Sequence, residues 1–149
     1  MKFYNREDEM KMIRQTEERS RSTACFTAIM GRRRVGKTTL LRKALEGKKY
    51  IYLFVSRTSE VLLCDAFKRE ITDTLSIPIY GTPTRFRDLF ELLMQHAASE
   101  HFTLIIDEFQ DFDRVNPSIF SDIQNMWDRY SPLAKINFIV CGSIYSLMK

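Results

Sequence analysis

Cysteine is scarce in this 149-residue chain, and its three copies show no metal-binding spacing. Cys25, Cys64 and Cys141 are widely separated and form no Cys-x-x-Cys pair. This excludes a zinc ribbon and argues against a disulfide framework. An odd number of cysteines in apolar surroundings is typical of reduced thiols in a cytoplasmic protein.

Long apolar runs are also missing, because charged residues interrupt every apolar stretch. A membrane-spanning helix is therefore excluded. Five of the first nine residues are charged, in a segment where a secretory signal would be apolar. No repeat, low-complexity tract or linker occurs, and 44% apolar with 28% charged residues is typical of a globular protein. We expect one soluble, cytoplasmic domain spanning residues 1–149.

Charge is unevenly distributed along the chain, which carries a net charge of +4. Residues 1–57 have a local charge of +9, whereas residues 58–149 have a local charge of −5. A basic first third is compatible with nucleic acid, an anionic membrane surface or a phosphate-rich small ligand. Composition does not choose among these three.

Apolar strand-like runs alternate with amphipathic helical patterns, which predicts an α/β fold with a parallel sheet covered by helices. A charged helix is expected within residues 5–22. Gly47 is placed to end the second helix, and Asn116-Pro117 to begin the last. The predicted strands cover residues 24–30, 50–55, 102–106 and 136–141, and the remaining predicted helices cover 37–46, 59–75, 84–99 and a stretch after 116.

Residues Gly31 to Thr38 match the pattern G-x-x-x-x-G-K-[ST] at every position, between a predicted strand and a predicted helix. Such a loop cradles phosphate with backbone amides, and its glycines let the chain approach the anion closely. Lys37 would reach the β- and γ-phosphates, and the Thr38 hydroxyl would hold Mg²⁺. The competing interpretation is a basic turn that binds nothing. The predicted nucleotide contacts are Gly31, Arg32, Arg33, Arg34, Val35, Gly36, Lys37, Thr38 and Thr39.

An apolar strand ends in Asp107 and Glu108. Because ligands of parallel sheets bind at the carboxyl ends of the strands, Asp107 should arrive beside the phosphate loop and hold Mg²⁺. Glu108 would polarise a water against the γ-phosphate, which favours hydrolysis over phosphotransfer. The competing interpretation is that Asp107 and Glu108 are only the polar residues that begin a loop. Ser143, after the last strand, could contact the γ-phosphate or the attacking water, or could simply terminate that strand.

Other polar residues have simpler interpretations. Arg32, Arg33 and Arg34 could contact nucleic acid, but raising the positive potential around a nucleotide is favoured. Arg57 is expected to be a surface residue rather than a charge clamp for a neighbouring subunit. The histidines lack metal-binding partners in the sequence, and the aromatic residues resemble a core more than a base-stacking surface.

Taken in order, four segments resemble the archaeal-type P-loop ATPase family, within the AAA-related and signal-transduction branch. The resemblance covers nearly the whole chain. The segments are Phe3-Tyr4-Asn5-Arg6-Glu7-Asp8-Glu9, Gly31 to Thr38, Ile106-Asp107-Glu108-Phe109-Gln110, and Gly142-Ser143-Ile144-Tyr145-Ser146-Leu147-Met148.

The resemblance implies a three-layer P-loop NTPase core, with helices on both faces of a mostly parallel sheet and without the family's C-terminal lid. Lys37 and Thr38 take the phosphate and metal roles, Asp107 and Glu108 the metal and water roles, and Ser143 a sensing role. Phe3 to Arg6 would lie beside the adenine. Because the family continues past this point, the chain is expected to be truncated after the sensor strand, which leaves the phosphate-loop strand at a sheet edge.

The expected function is that of a P-loop ATPase binding ATP or ADP with Mg²⁺, as a switch or motor for a partner or a C-terminal region. The alternative is a regulatory module that binds nucleotide without hydrolysing it. A small-molecule kinase is disfavoured by Glu108 and by the absence of an Arg-rich lid. Besides nucleotide, the expected partners are a second copy of the chain and nucleic acid, the latter through a C-terminal region.

Overall fold

The computed structural model describes residues 6–31 and 36–143. Within them lie four strands, six α-helices and one short 3₁₀ helix. The strands are β1 (Cys25–Gly31), β2 (Tyr50–Phe54), β3 (Phe102–Asp107) and β4 (Ile136–Ser143). The helices are α1 (Arg6–Arg19), α2 (Lys37–Ala44), α3 (Glu60–Leu75), α4 (Phe86–His96), α5 (Phe112–Val115) and α6 (Ser118–Tyr130), with the 3₁₀ helix at Phe109–Asp111.

The strands form one sheet in the order β1-β4-β3-β2, and every neighbouring pair is parallel. β3 and β4 are fully buried along their length, as expected of strands covered on both faces. In the described residues β1 has one strand neighbour, so the prediction that the phosphate-loop strand lies at an edge is confirmed. β2 forms the opposite edge.

Two hydrophobic clusters, one on each face of the sheet, make the three layers. The smaller cluster joins α1 and α2 to one face through Ile13, Leu41, Ile105 and Ile139. The larger cluster packs α3 to α6 on the other face, and successive strand residues alternate between the two clusters. The predicted α/β class, with helices on both faces of a parallel sheet, is confirmed.

Element boundaries differ from the predictions by a few residues. β4 continues to Ser143 because it stays paired with β1 as far as Gly31. α4 begins at Phe86, whose amide donates to the Glu60 carboxylate of α3 at 2.8 Å. The 3₁₀ helix and α5 were not predicted, since a few residues are too short for a periodic pattern.

Part of the expected aromatic core is observed, together with a buried apolar face of the last long helix. The face of α6 that carries Ile119, Ile123 and Met126 is buried, and Phe102 and Phe138 lie in the core. The three cysteines are buried free thiols. None of the helices within residues 6–31 and 36–143 is long and apolar enough to span a bilayer.

Candidate functional site

The carboxyl ends of the neighbouring strands β1, β4 and β3 lie side by side at the same end of the sheet. The register pairs Gly31 at the end of β1 with Ser143 at the end of β4, and Asp107 ends the next strand. α2 begins at Lys37, shortly after β1. The strand order therefore gathers the separate sequence motifs into one region, as expected for ligand sites of parallel sheets.

The start of α2 has the backbone that an anion-binding helix end requires. Gly36 lies in the left-handed region with φ 77° and ψ 26°, where glycine has no steric penalty. Its carbonyl accepts the Leu40 amide at 2.9 Å, which leaves the preceding amides of the first turn without intrahelical acceptors. Lys37 and Thr38 are half-buried and Thr39 is exposed. The predicted contacts at Arg32, Arg33, Arg34 and Val35 lie outside the described residues.

Asp107 is the most highly connected carboxylate of this region. It is 8% exposed, and its two oxygens accept from three different parts of the chain. The Thr38 hydroxyl donates to Oδ2 at 3.3 Å, the Tyr52 hydroxyl donates to the same oxygen, and the Glu108 amide donates to Oδ1 at 2.8 Å. The last residue of β3 and the second residue of α2 are thus brought into direct contact.

The sequence predicts Tyr52 only as part of the strand at residues 50–55 and assigns it no role in the site. Burial, followed by the hydrogen bond to Asp107, raises the pKa of Tyr52 to about 12, so its hydroxyl is a donor at neutral pH. The Arg42 guanidinium lies 5.0 Å from the centre of its ring. No local motif marks this residue, because its partner Asp107 lies 55 residues further along the chain.

Glu108 follows directly after β3, at a turn of the backbone. Its backbone is left-handed, with φ 54° and ψ 45°, and it precedes the 3₁₀ helix. An L-residue in this region costs about 1–2 kcal/mol, and such strain is found at functional sites. The Gln110 side-chain amide donates to Glu108 Oε1 at 2.6 Å. Gln110 is therefore a second residue whose contact the sequence analysis did not assign, although it lies in the Ile106–Gln110 segment.

Ser143 is completely buried at the end of β4. Its amide donates to Gln110 Oε1 at 3.4 Å, whereas its hydroxyl oxygen has no hydrogen-bond partner in the part of the chain that the structure describes. A buried hydroxyl without a partner is costly. It marks a place where a polar group of a ligand would be stabilised.

The pKa of the Cys141 thiol is affected by charged residues of the same region. Burial, and then the negative charge of Asp107, raises the pKa of its thiol to about 12, while the positive charge of Lys37 acts in the opposite direction. Lys37 and Asp107 thus act on the same part of β4. The thiol itself is an inert, protonated core group.

Arg57 and the two histidines pair with other side chains of this chain. Arg57 is 55% exposed and pairs with Asp111 of its own chain at 3.5 Å. His96 contacts Glu100, and His101 contacts Ser20. Among the described residues no group of three or more His, Cys, Asp and Glu side chains could hold a metal ion.

The donors at Thr38 and Asp107 nevertheless fit a magnesium ion bound jointly by protein and phosphate. Mg²⁺ prefers hard oxygen ligands and is commonly held by only one or two protein groups together with substrate phosphates. The Thr38 hydroxyl and the Asp107 carboxylate supply such oxygens 3.3 Å apart. The buried hydroxyl of Ser143 lies at the end of the neighbouring strand.

The parallel sheet, with a glycine-initiated helix after its edge strand and an acidic residue at the end of β3, defines a P-loop NTPase fold. Residues 3–149 match the family described as an ATPase domain predominantly from Archaea. The chain belongs to this family, and the predicted family resemblance is confirmed.

The relatives are longer proteins. The chain is 27% identical over 146 residues to the uncharacterized protein MJECL04 of Methanocaldococcus jannaschii, which covers 98% of this chain and 30% of that protein. Cdc6p from Pyrobaculum aerophilum has a similar structure, with a TM-score of 0.64 and 19% identity over 95% of this chain and 40% of that chain.

Two further solved structures share the fold. The Walker-type ATPase PABY2304 of Pyrococcus abyssi gives a TM-score of 0.60 at 19% identity, covering 93% of this chain and 46% of that one. Drosophila ORC bound to DNA gives 0.62 at 15% identity, covering 95% and 38%. This chain therefore spans less than half the length of each of these relatives.

Proposed function

We propose that this chain is the nucleotide-binding core of a Mg²⁺-dependent ATPase that acts as a switch or motor for a partner region. The observation that carries the proposal is the 3.3 Å contact between the Thr38 hydroxyl and the Asp107 carboxylate. It joins the helix after the phosphate-loop sequence to the acidic end of β3. Membership of an ATPase family supports the same assignment.

Each residue has a defined task in this proposal. The loop and first turn of α2 bind phosphate through backbone amides and the positive end of the helix, and Lys37 contacts the β- and γ-phosphates. Thr38 and Asp107 hold Mg²⁺, which neutralises charge on the phosphates when bound. Glu108 orients and polarises the attacking water. The buried hydroxyl of Ser143 senses the γ-phosphate, which would satisfy its missing hydrogen bond.

The alternative proposal is a regulatory module that binds nucleotide without turnover. It is supported by the pairing of Arg57 with Asp111 of its own chain, which engages an arginine that could otherwise complete a site. ATP as the nucleotide follows from the family alone. Partners of a longer protein would be a second copy and nucleic acid. DNA is bound by the Drosophila ORC of similar fold.

Phosphate release from Mg-ATP, measured over a series of protein concentrations, tests the proposal. Lys37→Ala should lower release by about 10²-fold or more, because it removes a charge that stabilises the transferring phosphate. Glu108→Gln should lower it by about 10²- to 10⁴-fold while nucleotide still binds. Lys43→Ala, at an exposed lysine of the same helix, is the matched control and should change little.

The outcomes separate the candidates. Specific activity that rises with protein concentration indicates that a neighbouring copy completes the site. Nucleotide binding that depends on Lys37, without phosphate release, supports the regulatory module. Release that is the same in the wild type and Lys37→Ala contradicts the proposed site.

A further inference from the structure

Tyr52 reaches the acidic end of β3 from the outer strand of the sheet. In the register of β2 with β3, Tyr52 lies opposite Ile105, and its hydroxyl extends to Asp107, two residues further along β3. Diagonal neighbours of this kind are within reach of an aromatic side chain. Asp107 is therefore contacted from β2 as well as from α2.

The contacts of Asp107 divide into two kinds. Thr38 belongs to the phosphate-binding helix, and its hydroxyl can give a lone pair to a cation while donating its hydrogen. Tyr52 belongs to the other side of Asp107, on β2, and its hydroxyl donates to the same oxygen, Oδ2. Together with the Glu108 amide on Oδ1, these donors restrict rotation of the carboxylate.

The tyrosine is itself held in place. Its ring packs against the cluster between the sheet and α1 and α2, and the Arg42 guanidinium lies over the ring at 5.0 Å. Such packing gives the hydroxyl a fixed position, so the hydrogen bond to Asp107 is made without ordering a mobile side chain. Tyr50, on the same face of β2, packs against the same cluster, and in the described part of the chain no side-chain hydrogen bond joins it to Asp107.

We propose that Tyr52 is a positioning residue that fixes the Asp107 carboxylate in the orientation needed to bind the nucleotide-associated Mg²⁺. This inference rests on the proposed function and extends it to a residue outside the predicted motifs. Hydrogen-bond partners that orient a metal-binding side chain change metal affinity by about 10- to 100-fold when they are removed. Tyr52 thus raises the affinity for Mg²⁺ and leaves phosphate binding by the loop unchanged.

The test measures ADP affinity by titration calorimetry in EDTA and over a series of Mg²⁺ concentrations. For Tyr52→Phe we expect the Mg²⁺ concentration of half-maximal enhancement to rise by about 10- to 100-fold. The affinity for ADP in EDTA should stay within about twofold of the wild type, the scatter of independent sites. Tyr50→Phe, which removes a hydroxyl from the same face of the same strand, should leave both quantities unchanged.

A general loss of packing would change ADP affinity in EDTA, so the split between the two measurements identifies positioning. If the wild type responds to Mg²⁺ and Tyr52→Phe responds at the same concentrations, the role assigned to Tyr52 is wrong while the nucleotide site stands. If Tyr50→Phe shifts the response equally, strand packing rather than Tyr52 is responsible. If the wild type binds ADP independently of Lys37 and Mg²⁺, the proposed function fails and this inference with it.

Discussion

Gln110 connects the proposed catalytic carboxylate to the end of β4. Its amide group donates to Glu108, and its carbonyl oxygen accepts from the Ser143 amide. Gly142 lies against the same side chain, where an added Cβ would come within 2.8 Å of Gln110 Oε1 and 2.6 Å of Met30 Cε. The absence of a side chain at position 142 therefore lets Gln110 occupy its place.

At the scale of single residues, we predict that Gly142→Ala lowers turnover more than it lowers stability. The Cβ meets the ends of two flexible side chains, so unfolding free energy should fall by no more than about 1 kcal/mol, the low end for overpacking. Displacing Gln110 releases Glu108, so phosphate release should fall while nucleotide affinity is kept. Denaturant unfolding and steady-state kinetics measure the two effects.

Gln110→Ala is the comparison variant, since it removes the same link without the added Cβ. It should reproduce the kinetic loss of Gly142→Ala. Full turnover in both variants would show that the link between Glu108 and β4 has no role in the reaction.

Glu60 joins three helical elements. Its carboxylate accepts from the Phe86 amide at the start of α4 at 2.8 Å and from the Asn116 side chain before α6 at 2.9 Å. The residue before α4, Arg85, provides no side-chain cap, so the carboxylate of α3 performs this function for α4. A contact between elements thus replaces a local cap.

At the scale of secondary-structure elements, we predict that Glu60→Ala lowers the free energy of unfolding by about 2 kcal/mol, because two hydrogen bonds to a charged group are lost. Glu60→Gln should lose less, since its carbonyl oxygen can still accept one of them. The measurement is urea denaturation of both variants.

The matched control is Glu70→Ala, at an exposed glutamate of the same helix. It should stay within about 0.5 kcal/mol of the wild type. Equal losses at positions 60 and 70 would contradict a specific capping role for Glu60.

At the scale of the whole molecule, β1 is an outer strand of the sheet and has a strand neighbour on one side in the described residues. Phe26 and Met30 on this strand are 53% and 42% exposed, and Ala28 between them is also exposed. An edge strand presents unpaired backbone groups, and one with exposed apolar side chains is prone to pair with another chain. Within residues 6–31 and 36–143, β1 therefore has an open side to which another chain could pair.

At this scale we predict that the 149-residue chain self-associates through β1 as its concentration rises. Ala28→Lys should reduce this association several-fold in sedimentation velocity, because a charged residue on an edge strand opposes strand pairing. Leu133→Lys places the same charge at a loop residue that is 78% exposed, and should leave association unchanged. Equal association of the wild type and Ala28→Lys would exclude β1 as the contact.

Much of the fold could be predicted because its signals are local. Apolar runs of strand length, Gly47 after α2 and the alternation of strands with helices each depend on neighbouring residues. The phosphate-loop pattern and the acidic end of β3 are also contiguous in the chain. The rule that ligands bind at the carboxyl ends of parallel strands then predicts that Asp107 and Thr38 meet, and they do.

The amino-acid sequence by itself determined the four strands, the helices of eight residues or more and the α/β class. Only the tertiary structure decided that Tyr52 and Thr38 share one oxygen of Asp107, that Gln110 joins Glu108 to Ser143, and that Glu60 caps α4. These contacts cross 26 to 69 residues, apart from the pairing of Gln110 with Glu108. The physical reason is that periodicity and caps act within a few residues, whereas the direction of a polar side chain depends on which elements pack beside it.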